Sequence, residues 1–247
     1  MFYNIDKRIL YAIVAIMLFS GFYRFFSSPN ALLALLISIP GILIAITFHE
    51  FAHAKVADKL GDDTPRIEGR LTLNPLDHIE PVGFIMLVFA GFGWGKPVHV
   101  NPRNYNRDMS MEKADSLVSI AGPVTNFILA IIFTILYLLM NKYIKNPAKI
   151  ISIIMGMINS TIIINIGLGV FNLIPLPPLD GSKVIKPFLP YNAKVWFENN
   201  ERIFYLVFII LWIIETLPLN IRIIGSIISP IINLIYTALM NLGSFII

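Results

Sequence analysis

The chain has 247 residues, of which 56% are hydrophobic and only 14% charged, with a mean hydropathy of +0.74. Soluble domains carry about 25% charged residues, so this composition excludes a domain that faces water all round. The net charge of +4 is scattered through short loops with no basic patch interleaved with aromatics, which argues against nucleic acid as a partner, and the lack of cysteine excludes disulfides and thiolate metal ligands while leaving the redox compartment unreadable.

The first apolar run, residues 9–26, follows Lys7 and Arg8. A signal peptide needs a small-x-small cleavage site behind its apolar run, whereas Phe22, Tyr23, Arg24, Phe25 and Phe26 stand here, so the run reads as a retained span. A spanning helix needs about 20 mostly apolar residues. Further candidates follow at 31–57, 115–141, 150–174, 199–217 and 220–245, with turns at Pro29–Asn30, Asn146–Pro147 and Pro218–Asn220 between neighbours. Residues 82–95 are apolar but short and contain Gly83, Gly91, Gly93 and Gly95, which weaken a helix; a re-entrant or interfacial piece is predicted. Just upstream, Ile67, Gly69, Leu71 and Leu73 alternate with Arg66, Glu68, Arg70 and Thr72, predicting a strand, and Val98 with Val100 suggests another.

The predicted fold is an all-α polytopic membrane protein, about six transmembrane helices with a small membrane-associated β/re-entrant element between spans two and three. It forms a single membrane-embedded domain over 1–247, with a core at about 31–190 and peripheral spans at 1–30 and 199–247. With six spans and the N-terminus inside, 14 Lys/Arg fall on the inner side and five outside; making 82–95 a seventh span changes the split to 10 against 9. The positive-inside rule selects six spans.

Span two ends in His49-Glu50-Phe51-Ala52-His53. Histidines four apart share one helix face, so both imidazoles can reach one ion at the roughly 2.0–2.1 Å that zinc requires, and Glu50 stands beside the bound water. This is the H-E-x-x-H arrangement of zinc hydrolases. Ionisable groups in a span cost roughly 2.5–3.5 kcal/mol each and are functional by default. A catalytic zinc takes three protein ligands, and the best third is Asp180, in Phe171-Asn172-Leu173-Ile174-Pro175-Leu176-Pro177-Pro178-Leu179-Asp180-Gly181. The prolines there preclude regular helix and predict an extended Asp180 free to turn inward; the alternative is a helix N-cap. Six spans place the ends of spans two and four on the same side, as a shared ion demands; seven place them on opposite sides. His49 lies 18 residues after Ala31, about 27 Å along a straight helix, which sets the site just inside the inner boundary of the bilayer.

These residues resemble the site-2 protease family of intramembrane zinc metalloproteases, peptidase family M50. The two metal motifs are joined by Gly69-Arg70-Leu71-Thr72-Leu73-Asn74-Pro75, Gly93-Trp94-Gly95-Lys96-Pro97-Val98 and Ala121-Gly122-Pro123-Val124-Thr125-Asn126, which resemble the family's recurrent segments. The resemblance implies one catalytic Zn2+ held by His49, His53 and Asp180, Glu50 as the acid/base, and Asn126 near the scissile carbonyl. It implies single-span membrane proteins as substrates within the lipid bilayer, separate regulatory membrane proteins, and a bacterial or archaeal plasma membrane with N-terminus and site toward the cytoplasm. Asn126 also reads as a buried amide bonding between helices. The predicted strand would hold unwound substrate by backbone pairing, or else brace the loop. A divalent-metal transporter and a non-catalytic scaffold are the competing readings; the first builds its sites in repeated halves, and no repeat is visible. No role for His78 or His99 emerges.

Overall fold

The computed structural model describes residues 15, 19, 28–90, 95–216 and 223–246. The long helices are α1 (Pro29–Lys59), α5 (Met111–Tyr143), α6 (Lys149–Asn172), α8 (Tyr191–Thr216) and α9 (Ile223–Ile246). Short helices α2 (Thr64–Ile67), α3 (Pro75–His78) and α4 (Pro81–Ala90) lie between α1 and α5, and α7 (Asp180–Ile185) follows α6. Local signals account for the helix ends. A proline opens α1, where its missing N–H is no loss, and Lys59 lies in the last turn, where it complements the helix dipole. Ser110 caps α5 by accepting from the Lys113 amide, with Glu112 in the first turn.

Among the described residues, four segments are long and apolar enough to cross a membrane: Asn30–Lys59, Met111–Tyr143, Lys149–Asn172 and Ile223–Gly243. They coincide with the predicted spans at 31–57, 115–141, 150–174 and 220–245. The predicted span at 199–217 falls on α8, whose first half carries Lys194, Glu198, Glu201 and Arg202. Only residues 203–214, between Arg202 and Glu215, are free of charge, so α8 is not among the four. The predicted first span, apart from Ala15 and Phe19, lies outside the described residues. Ile128, Ile131, Ile132 and Ile135 on α5 are exposed, an apolar face that suits acyl chains rather than water.

Packing brings α1, α5 and α6 together. Ile37 lies against Gly156 and Gly41 against Thr161, so α1 and α6 run parallel; a Cβ on Gly41 would stand 2.8 Å from the Thr161 Cα, a helix approach that needs a small residue. α5 runs antiparallel to α1, with Asn126 bonded to Ala45 and Val118 to His53. Ala130, Ile158, Ile162, Ile166, Val170 and Ile228 form the buried centre shared by α5, α6 and α9.

The connection between α1 and α5 differs from the predicted β element. Residues 66–73 are not a strand: Pro65 lies in the first turn of α2 with its φ preset, the Arg70 amide closes the turn on the Pro65 carbonyl at 2.7 Å, and Gly69 takes φ +69°. Turn chemistry thus overrode a short alternation. Among the described residues there is no sheet, only an antiparallel bridge between Ile79 and Gly95, reinforced by the Lys96 amide bonding the His78 carbonyl at 2.8 Å. The bridge sets the two ends of segment 80–94 side by side, and α4 fills its first part.

Candidate metal centre

His49 and His53 share one face of α1, their rings 4.6 Å apart and nearly perpendicular. Asp180 comes from a different place. After α6 the chain runs irregularly through Pro175, Pro177 and Pro178, and Asp180 is then the first residue of α7, with Leu179 extended before it. The expected extended Asp180 is thus corrected to a helix-opening one: the prolines end at 178, and Gly181 onward is free to coil. The Asp180 Oδ2 lies 3.1 Å from His49 Nε2 and 3.3 Å from His53 Nε2. Burial alone would push the Asp180 carboxyl up, but without a metal the protonated imidazoles of His53 and His49 beside it hold it well below the usual carboxylate range.

The hydrogen bonds fix which ring nitrogens carry protons. His53 Nδ1 faces the Val118 carbonyl at 2.7 Å, which only accepts, so Nδ1 is protonated. His49 Nδ1 faces Asn126 Oδ1 at 2.6 Å, and the Asn126 amide is oriented by donating Nδ2–H to the Ala45 carbonyl at 3.1 Å, so His49 Nδ1 also donates. In the neutral rings both Nε2 atoms therefore present lone pairs toward an ionised carboxylate, an arrangement that a bound cation satisfies. All three ligand atoms lie within 4.8 Å of one another, with both histidines buried. Room for an ion is kept by Gly122 of α5, where an added Cβ would stand 2.5 Å from His53 Nε2 and 2.7 Å from His49 Nε2. Two imidazoles and a carboxylate fit a borderline cation of the zinc class.

Glu50 is next to the cluster but outside it. Its Oε2 accepts the Val98 amide at 3.0 Å, and Gly95 lies close enough that an added Cβ would stand 3.8 Å from Oε1.

Comparison with known proteins settles the family. The sequence pattern of peptidase family M50 matches residues 37–214. The chain belongs to peptidase family M50. It is 40% identical over 191 residues to the putative zinc metalloprotease YwhC of Bacillus subtilis, covering 77% of this chain and 85% of that protein. It is 32% identical over 158 residues to the putative zinc metalloprotease Rip2 of Mycolicibacterium smegmatis, covering 61% and 56% respectively. It is 29% identical over 192 residues to the putative zinc metalloprotease MJ0611 of Methanocaldococcus jannaschii, covering 76% and 87%. No solved structure gives a significant match.

In this M50 chain, His49, Glu50, His53 and Asp180 stand together. Asn126 is close by but fully buried, and it faces His49 rather than open space. His78 is also fully buried; its Nε2–H donates to the Thr72 carbonyl at 2.8 Å, pinning the turn that leads to the bridge at Ile79. His99 is exposed, beside Glu68 at 3.2 Å.

Two residues near the site escaped the sequence reading. Arg70 is buried, and its Nη2 donates to the carbonyls of Lys96 at 2.7 Å and Pro97 at 3.0 Å, just before the amide that reaches Glu50. Asn165 on α6 is fully buried against Asn126. A lone amide amid Ile162, Ile163, Ile164 and Ile166 was the signal available for Asn165; for Arg70 it was membership of the Gly69–Pro75 segment that resembles the family, which gave it no role.

Proposed function

We propose that the chain is an intramembrane zinc endopeptidase of the site-2 type, hydrolysing peptide bonds within the transmembrane segments of membrane-anchored, single-span proteins. The carrying observation is the meeting of His49, His53 and Asp180, 131 residues apart in sequence at its widest, beside Glu50 and with both histidines on a helix apolar enough to span. When bound by the two Nε2 atoms and the Asp180 carboxylate, zinc supplies Lewis acidity, lowering the pKa of water toward neutrality and polarising a carbonyl. Glu50 takes the proton of the attacking water and returns it to the leaving amine. The Val98 amide orients the Glu50 carboxylate for that transfer.

Substrate helices tie up their carbonyls in i to i−4 bonds and must unwind before attack. The stretch from Gly95 to Val100, laid beside Glu50, offers a place to receive an unwound chain by backbone pairing. Six spans, with the N-terminus and site toward the cytoplasm of a bacterial or archaeal cell and residues 82–95 re-entrant or interfacial, suit the charge distribution and the juxtaposition of Ile79 with Gly95. Separate membrane proteins would supply regulation. A metal-transit site would leave Glu50 without a task.

The test is zinc content and cleavage of a synthetic transmembrane peptide by the purified protein, wild type against Glu50→Gln. Zinc in both with cleavage by the wild type alone is expected. Full cleavage by Glu50→Gln, or a wild type that binds no zinc, overturns the reading.

A further inference from the structure

Behind His49 runs a chain of buried amides whose polarity is fixed end to end. Asn165 Nδ2 donates to the Thr161 carbonyl at 2.8 Å, which only accepts, so its Oδ1 is turned toward α5. That Oδ1 accepts from Asn126 Nδ2 at 2.9 Å. The other hydrogen of the same nitrogen goes to the Ala45 carbonyl at 3.1 Å, leaving Asn126 Oδ1 facing His49 Nδ1 at 2.6 Å. Asn126 and Asn165 are both fully buried, so water cannot substitute for a missing partner.

We infer that Asn165 is a positioning residue of the metal centre: it fixes the orientation of the Asn126 amide and, through it, the tautomer and ring angle of His49. A flipped Asn126 would present N–H to His49 Nδ1, favouring the tautomer with the proton on Nε2, which cannot bind a metal. Asn165 and Ala45 together disfavour that flip, because each takes one Asn126 hydrogen. Both hydrogens being spent, Asn126 has none for a substrate carbonyl. It acts through His49, in contrast to the role beside the scissile carbonyl that the family resemblance implies. Partners of this kind typically change metal affinity 10- to 100-fold.

The inference rests on the zinc-site reading, and its test separates the two. Full-length protein in detergent is titrated with zinc against a chromogenic chelator and, in parallel, loaded with Co2+ for its visible spectrum. Asn165→Leu and Asn126→Leu are expected to lose about 10- to 100-fold in zinc affinity and to shift the cobalt bands. Asn165→Asp, whose protonated acid can accept from Asn126 and donate to Thr161, is expected to restore both. Unchanged affinity and spectrum in Asn165→Leu overturn the inference. So does an Asn126→Leu protein that loses cleavage while keeping wild-type affinity, since that amide would be serving the substrate. The 15N shifts of His49 in metal-free wild type need no variant and do not depend on zinc: a proton on Nδ1 supports the relay, and an unprotonated Nδ1 refutes it. A wild type that takes up no zinc sinks the metal reading, while the tautomer still judges the relay.

Discussion

The backbone N–H of Val98 donates to Oε2 of Glu50 at 3.0 Å, across 48 residues of sequence. That amide follows directly on the two carbonyls, of Lys96 and Pro97, held by Arg70 Nη2. A hydrogen bond to a charged group contributes about 1.5–3 kcal/mol, so Arg70→Ala should lower peptide cleavage by roughly 10- to 100-fold while zinc content stays at the wild-type level. Arg70→Lys, lacking the planar fork, should recover only part of the rate. Cleavage rates and bound zinc measured on the same preparations decide this; loss of zinc in Arg70→Ala would show that the contact supports the fold rather than Glu50.

Gly122→Ala tests the space at the centre. Alanine is the better helix former by about 1 kcal/mol, so α5 should persist. Its Cβ, though, would press on both Nε2 atoms. Zinc affinity should fall by about 100-fold or more with an unchanged helical circular dichroism spectrum. Tight zinc binding by this variant would contradict the assigned ligands.

Gly181→Ala reaches the same centre by another route. An added Cβ would stand 2.4 Å from the carbonyl oxygens of Leu173 and Ile174, so α7 must move and carry Asp180 away from the imidazoles. Zinc affinity should drop by at least about tenfold, while the His49 ring keeps its bond to Asn126. Chelator competition gives the first and 15N shifts of His49 the second. A variant that also disturbs His49 would mean that the two halves of the site are not independent.

Asp62 offers a pH test away from the metal. It is fully buried, and it accepts from the Thr64 amide (3.2 Å) and hydroxyl (2.6 Å), the Asn101 amide (2.6 Å) and Asn104 Nδ2 (3.0 Å). Burial pushes its carboxyl up, but these donors outweigh that and hold it below the ordinary 3.8. A lowered folded value means that the stabilisation is complete above the unfolded value and lost as pH falls through the folded one. Asp62→Asn should therefore cost about 1–3 kcal/mol near neutral pH. The gap to wild type in thermal midpoint should close only below the ordinary carboxylate range; a gap that closes above that range, or one that persists unchanged well below it, would count against the assignment.

The long spans were readable because an uninterrupted apolar run of membrane length has almost no use except to cross a bilayer. His49 and His53 were readable because helical spacing alone puts them on one face. Asp180 needed the proline-rich stretch to suggest an unwound neighbourhood, yet its place at the start of α7 depends on Gly181 packing against two carbonyls, which no local pattern announces. The strand expected at 66–73 failed because an alternation that short weighs less than Pro65 and a left-handed Gly69. Arg70 and Asn165 gained their partners only in three dimensions, from residues 26 and 39 positions away.

The wide separation of the third ligand from the first two bears on biogenesis. A growing polypeptide that has released α1 into the bilayer holds two imidazoles and no carboxylate to complete the set. Metal capture must await translation past α6 and the folding back of the segment behind it. On the proposed function, a centre so divided is incomplete on the ribosome and in any product truncated before Asp180.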